Sequence, residues 1–164
     1  MKWSVLDQST SAEGSTQDAA IRESIALARL CDTLGYHRYW VSEHHNSASI
    51  VGTAPEVLMA AIAATTQHIR VGSAGVMLPH YSSLKVAEQF RVLEAIAPGR
   101  IDLGVGRAPG SDRISAVCLG CVKRHCGCAT SAARRTDENH QRAPRQRRGP
   151  VFDFVLGHPP IAPA

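Results

Sequence analysis

The sequence contains no uncharged apolar run approaching the roughly 20 residues of a membrane span. Its longest uncharged stretch, Val71 to Leu84, is interrupted by Gly72, Gly75 and Pro79, which excludes a spanning helix. The N-terminus meets Asp7 before any apolar run long enough for a secretory signal, so the expected compartment is the cytoplasm, with reduced thiols. A dinucleotide fingerprint is missing where it would be needed. Asp7-Gln8-Ser9-Thr10-Ser11 follows the first apolar segment in place of Gly-x-Gly-x-x-Gly, which argues against a Rossmann domain. Residues 1–117 also lack a basic excess, with 10 Lys+Arg against 11 Asp+Glu, so the overall isoelectric point near 9.0 indicates no nucleic-acid or membrane-surface partner for them. Finally, 164 residues fall short of the roughly 250 of a closed eight-stranded α/β barrel.

What is present can build a core, since 44% of residues are hydrophobic and 20% charged. Residues 118–164 differ in kind. They hold four of the five cysteines, seven arginines and five of the nine prolines, carry 8 Lys+Arg against 3 Asp+Glu, and show no sustained apolar period. The boundary is drawn near Val117, giving a folded unit at 1–117 and an irregular, disordered or out-of-frame tail at 118–164.

Within the first unit, strands and helices alternate. Trp3 to Leu6 forms an apolar run, and Ile21, Ile25 and Ala28 with Leu27, Leu30, Cys31 and Leu34 make a helical stripe that Gly35 is placed to end. Tyr39-Trp40-Val41 gives a second strand. Thr53 and Glu56 have capping-box spacing with Pro55 in the first turn, predicting a helix from Ala54 to about Thr66. Ile69 to Ser73 reads as a third strand, Ser83 to Ile96 as a third helix stopped by Pro98-Gly99, and Ile101 to Gly104 as a fourth strand. The order β-α-β-α-β-α-β predicts a parallel sheet, either doubly wound or half of a barrel.

Three clusters fall just past strand ends, where such sheets gather ligands. Ser42-Glu43-His44-His45-Asn46 offers a carboxylate and two imidazoles for acid/base work, or else a polar loop with one histidine in the core. Adjacent histidines in an extended segment point to opposite sides, so they suit a metal poorly, and none is expected. Gly72-Ser73-Ala74-Gly75 would let a flat ligand lie on backbone, or would serve tight sheet packing. Gly106-Arg107 offers a guanidinium that could grip a phosphate or could simply stand at the surface.

Taken together, Leu6 to Ser9, Leu34 to Asn46, Ala54 to Leu58, Ile69 to Pro79 and Pro98 to Gly110 resemble the bacterial luciferase-like family of flavin-dependent monooxygenases, across residues 1 to about 117. The resemblance implies an α/β fold that is the N-terminal half of a (β/α)8 TIM barrel. It implies reduced FMN, ahead of a deazaflavin, with dioxygen and a small organic substrate, a separate flavin reductase, and homo-oligomers through the helices after strands two and three. In that family the histidine matching His44 handles protons beside the flavin, with Glu43 its neighbour, and both are expected at the catalytic site. Ser73, Ala74 and Gly75 match the strand end beneath the flavin ring, where Ala74-Gly75 corresponds to a non-prolyl cis peptide. Arg107 matches an arginine on the flavin phosphate.

There are departures. Gly106 stands where luciferases proper carry cysteine, so light emission is not implied. The units that complete a family barrel are replaced by the Arg-, Pro- and Cys-rich tail, whose composition is that of a GC-rich gene read out of frame, and a truncated, inactive copy is expected. Two other readings stand beside it: a flavin-binding or subunit-interaction module without turnover, and a zinc or nucleic-acid binder using Cys118, Cys121, His125, Cys126, Cys128 and the tail arginines. A half-barrel would leave the edges of its first and fourth strands open.

Overall fold

A computed structural model describes residues 1–107 and 113–119. Four strands, β1 (Ser4–Asp7), β2 (Arg38–Val41), β3 (Arg70–Ser73) and β5 (Ile101–Asp102), form a parallel sheet in the order β1-β2-β3-β5. The helices α1 (Gln17–Thr33), α2 (Pro55–Thr65) and α3 (Ser83–Ile96) are the crossovers. They pack on one face, because strand side chains alternate. Tyr39, Val41 and Val71 meet Ala28, Cys31, Met59, Ile62, Phe90 and Leu93 in the core. The other face carries Leu6, Trp40 and Gly72 in one register row, with Asp102 opposite Gly72. A Cβ on Gly72 would stand 2.5 Å from the Trp40 ring, so only glycine lets that indole lie across β3.

Local chemistry sets the helix ends. Thr16 caps α1, its hydroxyl accepting from the Ala19 amide at 3.2 Å, and Gly35 takes the left-handed conformation (φ 75°) that releases the chain toward β2. The turn from α2 to β3 is held from two sides. Asp32 on α1 accepts the amides of Gln67, His68 and Ile69, and Arg100 donates to the Ala63 and Ile69 carbonyls at 2.7 and 3.1 Å. Burial works against the Asp32 carboxylate, yet those amides hold its pKa below the usual range.

Several expectations are corrected. The capping box at Thr53–Glu56 does not form: Ala54 is the N-cap with no side-chain bond, and Glu56 accepts instead from the Gln89 amide group at 3.1 Å, joining α2 to α3. The fourth strand does not run unbroken to Gly104. It stops at Asp102, and β6 (Val105–Gly106) pairs with β4 (Val76–Met77) in a separate parallel two-stranded sheet. The cause is the Ser73 hydroxyl, which takes both polar groups of Gly104 and ends the main ladder there. On α2, one of the two helices through which homo-oligomers were expected, Ala63 is buried in the chain's own core, whereas Ala64 is exposed. A further helix, α4 (Arg113–Cys118), was not expected; the boundary at Val117 falls in its last turn. The tail ligands from Cys121 onward lie outside the described residues. Among the described residues no helix is long and apolar enough to cross a membrane.

Candidate active site

All four main strands are parallel, so the segments after β2, β3 and β5 emerge at one end of the sheet. Backbone bonds lock them together. The Ala74 amide donates to the Val41 carbonyl at 2.7 Å, and the Val76 amide to the Gly104 carbonyl at 2.8 Å. The step Ala74–Gly75 is a cis peptide with Ala74 exposed at that end. A Cβ on Gly75 would lie 2.9 Å from the backbone of Gly104 and Val105, so the glycine is required by the close approach of β4 to β6. Tight packing therefore accounts for Gly72 and Gly75, and the exposed surface of the run is left to Ala74.

The segment after β2 alternates as an extended chain should. Ser42 pairs with His44 (Oγ to Nδ1, 3.2 Å), and Glu43 with His45 (Oε1 to Nε2, 2.8 Å), on opposite sides. The His44 amide donates to the Gly52 carbonyl at 2.9 Å, fixing the loop, and its Nε2 has no partner among the described residues. Glu43 is different. Its side chain is 0% exposed and accepts from the Met77 amide at 2.8 Å and from the Tyr81 hydroxyl at 2.6 Å as well as meeting His45. Burial, and next the bond to Glu43, raises the Tyr81 pKa well above that of a free phenol. The carboxylate thus ties the loop after β2 to β4 and to the turn Leu78–His80, and none of it reaches the surface.

Ser73 is likewise enclosed: its hydroxyl donates to the Gly104 carbonyl at 2.8 Å and accepts the Gly104 amide at 3.1 Å. Arg107 follows β6, is exposed, and makes no bond or ion pair with another described residue. Of the six expected site residues, His44, Ala74, Gly75 and Arg107 present atoms at the strand ends, while Glu43 and Ser73 work from beneath them.

Sequence reasoning passed over two supports. Tyr81 and His80 sit in Pro79-His80-Tyr81 just after the third strand's end, and that position was their only signal. His80 is buried, with both ring nitrogens unpartnered among the described residues, edge-on to His45 with ring centroids 6.2 Å apart. The second support is the loop after β1. Asp7 accepts from the Ser9 amide at 2.8 Å and the Tyr39 hydroxyl at 2.7 Å, and Ser24 donates to Ser9 at 2.9 Å, fixing Ser9 at φ 51°. The Val51 amide then donates to the Ser9 carbonyl at 3.1 Å, next to the Gly52 that anchors His44.

Comparison with known proteins gives this arrangement a context. The family model described as luciferase-like monooxygenase matches residues 1–120. The N-acetyl-S-alkylcysteine monooxygenase of Bacillus subtilis is 55% identical over 115 residues, covering 70% of this chain and 34% of that protein. Among solved structures, apo-MsnO8 superposes with a TM-score of 0.70 at 45% identity, over 85% of this chain and 41% of that one. The oxygenating constituent of 3,6-diketocamphane monooxygenase from Pseudomonas putida, solved in complex with FMN, gives 0.69 at 23% identity over 93% of this chain and 42% of that one, a likeness of fold. The sheet is one side of a (β/α)8 barrel, and the chain spans about a third of the length of the curated relatives it matches.

Proposed function

Since the chain belongs to the luciferase-like monooxygenase family through residues 1–120, we propose that its strand-end site binds reduced FMN and serves flavin-dependent oxygenation of a small organic substrate. The observation that carries this reading is the convergence of His44, the Ala74–Gly75 backbone and Arg107 at one end of the parallel sheet. The residues suit the cofactor: Ala74 offers an exposed, side-chain-poor floor for a flat ring, and Arg107 a guanidinium that is unpaired among the described residues and can meet a phosphate. Bound reduced flavin supplies the activation of dioxygen.

The chain's own residues divide the remaining work. His44, held through Nδ1 by Ser42, keeps Nε2 toward the site, where it takes or gives a proton. Glu43 and Ser73 are positioning residues. Glu43 fixes His45, Tyr81 and Met77 around the loop, and Ser73 fixes the approach of Gly104 to the floor. A separate flavin reductase in the cytoplasm supplies the reduced cofactor.

Titration of the chain with FMN and with a deazaflavin, followed by flavin fluorescence, tests the assignment. Saturable binding with FMN the tighter ligand is expected. Binding of neither would remove the flavin site, and a preference for the deazaflavin would reassign the cofactor.

A further inference from the structure

Ser42 and His44 stand on the same side of the extended segment after β2, and the bond between them fixes where the imidazole carries its proton. The Ser42 Oγ lies 3.2 Å from Nδ1 of His44, a distance at which either atom could be the donor. The rest of the serine decides. Its hydroxyl has one proton to place, and among the described residues Nδ1 is the only acceptor bonded to it. Ser42 is 5% exposed, so its surroundings are set by the chain already packed around it, and little of it is left for solvent or a further segment. Its backbone is pinned as well, the amide donating to the Asp7 carbonyl at 3.1 Å. A hydroxyl that gave up Nδ1 as its acceptor would keep a buried, unpaired proton, the costly condition for a polar group.

Nδ1 therefore accepts. A neutral imidazole has one N–H, so a bond accepted at Nδ1 puts the hydrogen on Nε2. That nitrogen has no partner among the described residues and is the atom left for the strand-end site. The neighbouring His45 is governed differently: Glu43, which also accepts from the Met77 amide and the Tyr81 hydroxyl, brings no proton to the pair, whereas Ser42 brings one.

We infer that Ser42 is a positioning residue that sets the tautomer of His44, so that the neutral ring presents an Nε2–H hydrogen-bond donor, and not a base, to an acceptor atom of the ligand. A fixed donor there stabilises negative charge on a ligand oxygen without a proton changing hands. Taking a proton at Nε2 would first require the other tautomer, in which the Ser42 hydroxyl loses its acceptor. The inference narrows the role of His44 and rests on the flavin reading for what the ring faces; the tautomer itself belongs to the chain without ligand.

The test is nitrogen NMR of the ligand-free full chain, in which protonated and bare ring nitrogens have well-separated shifts. His44→Gln identifies the His44 signals, and spectra are taken at about pH 9, well above the ordinary imidazole pKa of about 6.5. Nε2 is expected as the protonated nitrogen. Ser42→Ala should move the tautomer ratio at least about threefold toward Nδ1–H, while Ser42→Thr, which keeps the hydroxyl, should leave it within about twofold. Circular dichroism confirms that each variant is folded, and the spectrum of the unsubstituted chain needs no variant. A bare Nε2 in the unsubstituted chain would overturn the inference, and so would a ratio that Ser42→Ala leaves unchanged. Added FMN should move the Nε2 signal more than the Nδ1 signal, and FMN binding that leaves Nε2 unmoved would overturn the donor role. Absence of FMN binding beside the expected tautomer would remove the flavin reading while supporting the serine's control of the ring.

Discussion

Ser73 and Gly104 bond each other twice: one hydroxyl donates to the glycine carbonyl at 2.8 Å and accepts the glycine amide at 3.1 Å. A Cβ on Gly104 would stand 2.2 Å from the Ser73 carbonyl oxygen, so the two backbones touch there and neither residue is free to vary. This clamp ends the main ladder and turns the chain into the β4–β6 pair beneath Ala74–Gly75.

Ser73→Ala should therefore cost about 1–3 kcal/mol, the range for leaving one backbone group unpaired, because the Gly104 amide loses its partner while the Gly104 carbonyl keeps the Val76 amide. Urea denaturation followed by far-ultraviolet circular dichroism measures it. A loss below about 0.5 kcal/mol would mean that Gly104 finds other partners and that the clamp does not hold the floor.

Glu43 receives three donors from three segments, which makes its replacement informative by degree. Glu43→Gln keeps the shape and one acceptor oxygen, whereas Glu43→Ala abandons the Met77 amide and the Tyr81 hydroxyl in a buried site. The alanine variant should be the less stable by at least about 2 kcal/mol, counting about 1–3 kcal/mol for each unpaired buried group. Equal stability of the two variants would contradict the positioning role and return the carboxylate to candidacy as a proton carrier.

The inner face holds Asp102 between Arg38, at 2.9 Å, and Arg70, with the aspartate side chain 8% exposed. Burial alone would raise its pKa, but the bonds to Arg70 and then Arg38 outweigh that and hold it below the usual carboxylate range. A carboxylate whose folded pKa is depressed adds stability that is fully present above its unfolded value near 4 and is lost as pH falls through the folded value. Asp102→Asn should cost on the order of 3 kcal/mol at neutral pH, near the low end for a broken buried pair because the arginines keep some solvent. It should also flatten the loss of stability below about pH 4. Thermal melts from pH 7 to pH 3 check both, and an unchanged acid limb would assign that loss to other carboxylates.

The parts legible in the sequence were those governed by periodicity and by glycine. α1 follows from its apolar spacing, α3 from the Pro98-Gly99 stop that ends it, and the parallel order from the alternation. The convergence of His44, Ala74 and Arg107 follows from their common place after strand ends. What was not legible depended on contacts between distant residues. Thr53 and Glu56 have the spacing of a capping box, yet Gln89, far along the chain, competes for the carboxylate. Ser73 looks like a ligand contact until Gly104, thirty-one residues on, consumes its hydroxyl. Glu43 looks like a site acid until Met77 and Tyr81 enclose it. In each case a local motif was read correctly as polar and capable, and its partner could be found only in three dimensions.

His80 carries two buried ring nitrogens without partners among the described residues, a condition that costs about 1–3 kcal/mol relative to an apolar ring of the same shape. The slightly larger ring of phenylalanine offsets part of that gain by crowding. His80→Phe is expected to leave stability unchanged or raise it by up to about 1.5 kcal/mol, while His80→Ala opens a cavity and lowers it. A loss above about 1 kcal/mol in the phenylalanine variant, measured by chemical denaturation, would show that the imidazole bonds to a group of its own.

Arg107 gives the most direct test of how a flavin would sit. It is exposed at the end of β6, next to Gly106, which pairs with Met77 on the strand leading from Ala74–Gly75. If its guanidinium holds the phosphate while the ring lies on the Ala74 floor, Arg107→Ala removes a charge-assisted contact that only a phosphorylated flavin can make. FMN affinity should fall by about 1.5–3 kcal/mol, roughly 10- to 150-fold, while riboflavin affinity stays within about twofold. Raising the salt concentration should erode the FMN preference of the unsubstituted chain and leave the variant almost unaffected, because screening acts on the exposed charge pair. Equal losses for FMN and riboflavin would place Arg107 against the ring or in the fold, and the phosphate would then have to be held by another group.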